Sequence, residues 1–76
     1  MSLDIESVKK RLGEVVKEKR ELCGLSQTKL AELSGIHRTH VAGVESGGKN
    51  LTVESLLRLS ESLGTLPSKL LKESGC

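Results

Sequence analysis

Apolar residues recur at helical spacing along almost the whole chain, and glycines divide that pattern into five segments. Over residues 4–22, Ile5, Val8, Leu12, Val15, Val16 and Leu22 form one stripe, with lysines, arginines and glutamates on the other face. Gly24 lies just past the last turn, where a left-handed residue stops a helix. Gly13 sits inside this helix at a cost of up to about 1 kcal/mol relative to alanine, which points to a close contact with another helix. Ser26 is placed to cap a second helix, which carries Leu30, Ala31 and Leu33 and ends at Ser34 and Gly35. A third helix over residues 37–45 turns Val41 and Val44 inward, and Ser46, Gly47 and Gly48 end it. Thr52 caps a fourth, with a stripe of Leu56, Leu59 and Leu63, and Gly64 closes it. Pro67 fits the first position of a fifth helix, where its missing N–H would be unpaired anyway, and Leu70 and Leu71 belong to that piece. No segment alternates apolar and polar residues as a strand would. The expected fold is an all-α bundle of five helices.

Residues 27–45 are the informative part. Two short helices joined by a turn of about four residues make a helix-turn-helix. Ala31 is small where the helices cross, and Gly35 permits the backbone angles of the turn. Ile36, Val41 and Val44 anchor the second of them, which leaves Arg38, Thr39, Ala42 and Gly43 facing outward. Such a face, with small residues at its centre, can enter a major groove about 12 Å wide.

Composition narrows the function. Seventy-six residues make one domain, here taken as 1–76, with a marginal core that gains from a partner subunit. Phe, Tyr and Trp are absent, so the chain has no ring on which to stack an unpaired base, and a single-strand binding module is excluded. The net charge of +2 is too small to diagnose a nucleic-acid partner by itself. Two cysteines do not make a disulfide framework, and no apolar run approaches the roughly 20 residues that span a bilayer, so a reducing cytoplasm is expected. No activated nucleophile, paired carboxylates or cofactor loop is visible; neither catalysis, a cofactor nor a small-molecule ligand is expected. His37, His40 and Cys23 fit no standard zinc spacing. Cys23 is read as a small hydrophobe between the first two helices, and Cys76 as the thiol more open to oxidation.

The stretch LSQTKLAELSGIHRTHVAGVESG resembles the helix-turn-helix of the phage-repressor and Cro-like (XRE) family, and the likeness extends to KEKRELCGLSQ before it and LTVESLLRLSESLGTLPSKLLKE after it. HRTHVAGVESGGKNLT is most similar to the controller proteins of restriction–modification systems, which read R-T-Y-[IV]-x-G-[IV]-E-R-x-x-[RK]-N at this place. The resemblance implies a lambda-repressor-like five-helix fold, with the motif over about 26–46 and dimerisation helices over about 52–73. It implies a homodimer on a palindromic site in double-stranded DNA, since one recognition helix reads too few base pairs. Arg38, Thr39 and Gly43 are then expected at base edges, where the fork of Arg38 fits the O6 and N7 of guanine. Ser26, Gln27, His37, His40, Ser46, Lys49 and Asn50 are expected at phosphates, Gln27 as the family's phosphate-holding glutamine. Arg20 and Glu45 match a structural ion pair. Leu57, Leu66 and Leu70 are expected in the dimer contact. Two departures stand out: His40 replaces the usual tyrosine and Ser46 a frequent arginine, so no relative's target sequence transfers.

The regulator reading, with autoregulation of a restriction–modification operon as its preferred form, comes first. A protein-interaction module of the antitoxin type comes second, because the helix-turn-helix fills nearly the whole chain and leaves no long tail to wrap a toxin.

Overall fold

The computed structural model describes residues 4–75, so Cys76 lies outside the described residues. Among the described residues five helices follow one another: α1 (Ile5–Leu22), α2 (Gln27–Ser34), α3 (Arg38–Glu45), α4 (Val53–Ser62) and α5 (Pro67–Glu73). No strand occurs among the described residues. Local chemistry sets the boundaries. Ser26 Oγ accepts from the Lys29 amide and Thr52 Oγ1 from the Ser55 amide, each satisfying one orphan donor of a first turn. Gly35 turns left-handed at φ +72°, so its own N–H and that of Ile36 both reach the Ala31 carbonyl and the chain reverses into α3.

Asp4 caps α1. Its carboxylate takes the Ser7 hydroxyl at 2.9 Å and the amides of Glu6 and Ser7 at 3.1 and 3.3 Å. The Ser7 hydroxyl, then the Ser7 and Glu6 amides, hold this carboxyl below its usual range. A depressed carboxyl stabilises above its unfolded pKa and loses that contribution as pH falls through the folded value. Amide exchange at Glu6 and Ser7 is therefore expected to accelerate as pH is lowered below about 4, beyond the intrinsic rate change. Asp4→Asn, which cannot titrate, is expected to show no such step.

The core is wholly aliphatic. Leu12, Val15 and Val16 of α1 meet Leu30 and Ala31 of α2, Val41 and Val44 of α3, Leu59 and Leu63, and Leu70 of α5. The first helix packs on α3 and α5, α2 on α3 and α4, and α4 on α5. Buried serines fit between these elements by turning their hydroxyls back on their own helices. Ser34 donates to Leu30 O, Ser60 to Leu56 O and Ser74 to Leu70 O, at 2.7, 2.7 and 2.6 Å. Gly13 is buried where α1 crosses the end of α3, and a β-carbon there would collide with the Val44 carbonyl oxygen.

Three residues of the expected apolar faces are outside. Ile5 and Leu22 are 69% and 84% exposed, and Leu33 also faces solvent. With 18 residues, α1 overhangs the eight-residue α3 and seven-residue α5 on which it rests, so its terminal apolar positions find no neighbour. Cys23, expected between the first two helices, is exposed as the residue that ends α1, with Sγ 3.7 Å from the Leu63 carbonyl.

Candidate nucleic-acid interface

The fold presents α3 as a fixed outer element. Val41 and Val44 are buried under it, and its last residue is clamped to α1. Arg20 Nε donates to Glu45 Oε2 at 2.7 Å, Nη2 to Oε1 at 3.1 Å, and Nη1 to the Leu25 carbonyl at 2.7 Å. The side chains are 11% and 4% exposed. The hydrogen bond to Glu45 raises the Arg20 pKa further above its already basic value. Gln27, the first residue of α2, joins the same carboxylate, with Nε2 3.0 Å from Glu45 Oε1. One carboxylate thus gathers α1, the entry to α2 and the end of α3.

Of the residues expected at base edges, Arg38 and Thr39 are exposed on the first turn of α3. The Arg38 guanidinium makes no hydrogen bond or ion pair among the described residues, although it shares a shallow recess with Thr28 and Glu32. Gly43 is different. The Lys49 stem lies over it: a β-carbon there would collide with Cγ and come within 3.1 Å of Cε. The face of Gly43 expected to meet bases is therefore occupied by a lysine from the following loop, and the glycine seats that lysine against α3.

The residues expected at phosphates divide similarly. Ser26, His37, Ser46, Lys49 and Asn50 are exposed at the start of α2, the start of α3 and the loop after it. His37 ends the turn without making a side-chain cap bond, and Ser46 Oγ donates back to Gly43 O at 2.9 Å. His40 departs from expectation. Its Nε2 is enclosed without a hydrogen-bond partner, and the residue lines a recess with Thr52, Ser55 and Arg58. That nitrogen is therefore enclosed beside the first turns of α4.

The apolar residues expected at a dimer contact are also split. Leu57 and Leu66 are 51% and 67% exposed. Leu70 is fully buried among the other core leucines, so it is a core residue and has no surface to offer a second subunit. Val53, four residues before Leu57 on the same helix, is 73% exposed. No group of three potential metal ligands occurs among the described residues, and no helix there is long and apolar enough to cross a membrane.

A family model described as helix-turn-helix matches residues 16–70. The chain is 41% identical over 68 residues to the control protein C.SmaI of Serratia marcescens, across 90% of this chain and 81% of that relative. The crystal structure of the restriction–modification controller protein C.AhdI from Aeromonas hydrophila aligns with a TM-score of 0.79 and 39% identity, over 80% of this chain and 92% of that one. The chain belongs to the helix-turn-helix family, in the branch of the restriction–modification controller proteins. Another controller protein, C.Esp1396I, has been solved as a tetramer in complex with its natural 35 base-pair operator; it shares 29% identity and a TM-score of 0.77, over 91% of this chain and 96% of that one.

Within this controller fold one supporting side chain escaped the sequence reading. Arg58 of α4 pairs with Glu54 at 2.9 Å and extends Nη1 to within 3.4 Å of the Ser34 carbonyl, at the end of α2. It ties the turn of the motif to α4 and sets a cation at the negative end of a helix. The i,i+4 spacing of Glu54 and Arg58 signals their pairing; only the packing of α2 on α4 brings the turn within reach.

Proposed function

We propose that this protein is a sequence-selective, double-stranded DNA-binding transcription regulator that acts as a homodimer on a palindromic operator, as the autoregulatory controller of a restriction–modification operon in the cytoplasm. The observation that carries this reading is the unpartnered, exposed Arg38 at the start of a helix that is otherwise locked to the body. A guanidinium with no intramolecular acceptor is free to meet the two acceptors of a guanine in the major groove. Its neighbour Thr39 offers a methyl and a hydroxyl to the next base. Ser26, Gln27, His37, Ser46, Lys49 and Asn50 hold phosphates and set register, without reading sequence. Leu57 and Leu66, with Val53, form the contact between subunits. The operator complex of the C.Esp1396I tetramer supports assembly of more than one copy on DNA. The family's function is binding, and the protein is not an enzyme.

Selection of bound duplexes from a random library, at two salt concentrations, tests the proposal. It is expected to return two inverted half-sites about one helical turn apart, with a salt slope set by the phosphate contacts. On the selected site, Arg38→Ala is expected to lose roughly tenfold or more per half-site while binding to random duplex stays within a few-fold. Equal losses on both duplexes would remove Arg38 from base reading.

A further inference from the structure

Glu45 does more than neutralise Arg20. Its Oε2 faces Arg20 Nε alone, whereas Oε1 accepts from both Arg20 Nη2 and Gln27 Nε2. A carboxylate only accepts hydrogen bonds, so the Gln27 amide has no choice of orientation: nitrogen toward Glu45, one N–H spent and one left over. Arg20 holds the carboxylate from the other side and also fixes the Leu25 carbonyl, two residues before Gln27. The backbone entering α2 and the first side chain of α2 are therefore set by one ion pair that is itself nearly buried.

We propose that Glu45 is a positioning residue for DNA-backbone binding: it fixes the Gln27 amide so that the remaining Nε2–H donates to a phosphate. The inference rests on the phosphate role given to Gln27 above and adds what controls it. Freed from Glu45, the amide samples both flips, and in one of them its oxygen faces the anion and repels it. Glu45 also closes the recognition helix, so the carboxylate couples the backbone grip of α2 to the position of α3. The role of Arg20 in this device is to keep a carboxylate acceptable at the edge of a polyanion.

The test separates positioning from mere support. Replacing both members of the pair by methionine (Arg20→Met with Glu45→Met) removes the acceptor without leaving a charge unpaired, and a thermal melt establishes that the variant is folded. Gln27→Ala is expected to weaken binding to selected and random duplex alike by roughly tenfold per half-site, with the salt slope unchanged because no cation is lost. The methionine pair is expected to lose about as much, and adding Gln27→Ala to it to lose no more. Arg20→Met with Glu45→Gln restores an acceptor for the Gln27 amide and is expected to recover most of the affinity. Replacing one phosphate per half-site by an uncharged methylphosphonate is expected to weaken the wild type but neither Gln27→Ala nor the methionine pair. Wild-type affinity in the folded methionine pair, or a loss that simply adds to that of Gln27→Ala, would overturn the positioning role. Full affinity in Gln27→Ala would overturn it as well, by removing the phosphate contact. Failure of the wild type to bind any duplex would instead sink the regulator reading itself.

Discussion

Arg20→Ala is expected to lower the free energy of unfolding by about 3–5 kcal/mol, measured by urea denaturation with an unchanged m-value. The loss comes from what stays behind. The Glu45 carboxylate, 4% exposed, keeps only the Gln27 amide as a partner, and the Leu25 carbonyl loses its donor. An unpaired charge in that position cannot be rehydrated without moving α3 off α1. A chain of this length has a total stability of only about 4–11 kcal/mol, so the variant is expected to be partly unfolded at 37 °C. Replacing both residues by methionine is expected to cost far less, within about 1–2 kcal/mol of the wild type, because two desolvated charges leave together. The contrast between single and double replacement is the informative measurement. A single variant as stable as the double would mean that water reaches the carboxylate.

Gly13→Ala gives the second large effect, with a sign opposite to helix propensity. Alanine is favoured over glycine inside a helix by about 1 kcal/mol, so propensity alone predicts stabilisation. The structure predicts a net loss of about 2–3 kcal/mol and a Tm lower by roughly 10–20 °C. The new methyl would strike the Val44 carbonyl oxygen and lie 2.7 and 2.9 Å from the Glu45 carbonyl oxygen and carbon. All three are backbone atoms, so no rotamer change relieves the contact. Gly48→Ala, where the nearest heavy atom is Ser46 Oγ at 3.5 Å, serves as control and is expected to shift stability by less than about 0.5 kcal/mol. A Tm for Gly13→Ala at or above the wild type would show that α1 and α3 can separate freely.

The parts of the fold decided by neighbouring residues were readable from the chain. Ser26, Thr52 and Pro67 open helices, and Gly35 reverses the chain, by chemistry that needs only a few adjacent groups. The parts decided by distant neighbours were less readable. An apolar stripe says which face of α1 turns inward but not how far the partner helices extend, so Ile5 and Leu22 were assigned to a core that does not reach them. Counting leucines shows a surplus over what the interior needs; it does not say which are surplus. Leu66 is outside, while Leu70, four residues on, fills the seam between α1, α4 and α5. Ser34, Ser60 and Ser74 are buried, and nothing adjacent in the chain announces it: each hydroxyl bonds back to its own helix under a covering neighbour.

The candidate site divides the same way. Arg38 and Thr39 follow from which face of α3 the valines hold down. The direction of the His40 ring and the course of the Lys49 side chain follow from where α4 and the loop before it come to lie. The attachment of Gln27 to Glu45 spans 18 residues and depends on a clamp from a third helix. The resemblance to the controller proteins singles out the three residues. Their geometry shows how they meet.

The tight crossing at Gly13 has a consequence for how a target sequence is chosen. With α3 seated carbonyl-to-helix on α1 and bolted at its end by Arg20, the reading head has little play against the body. In the proposed dimer on DNA, a mismatch between two such heads and the pitch of the double helix would then be absorbed by the nucleic acid. Steps that kink or twist cheaply, such as TA and CA, are favoured at positions that no side chain touches. Stiffness in the protein becomes selectivity for pliant DNA.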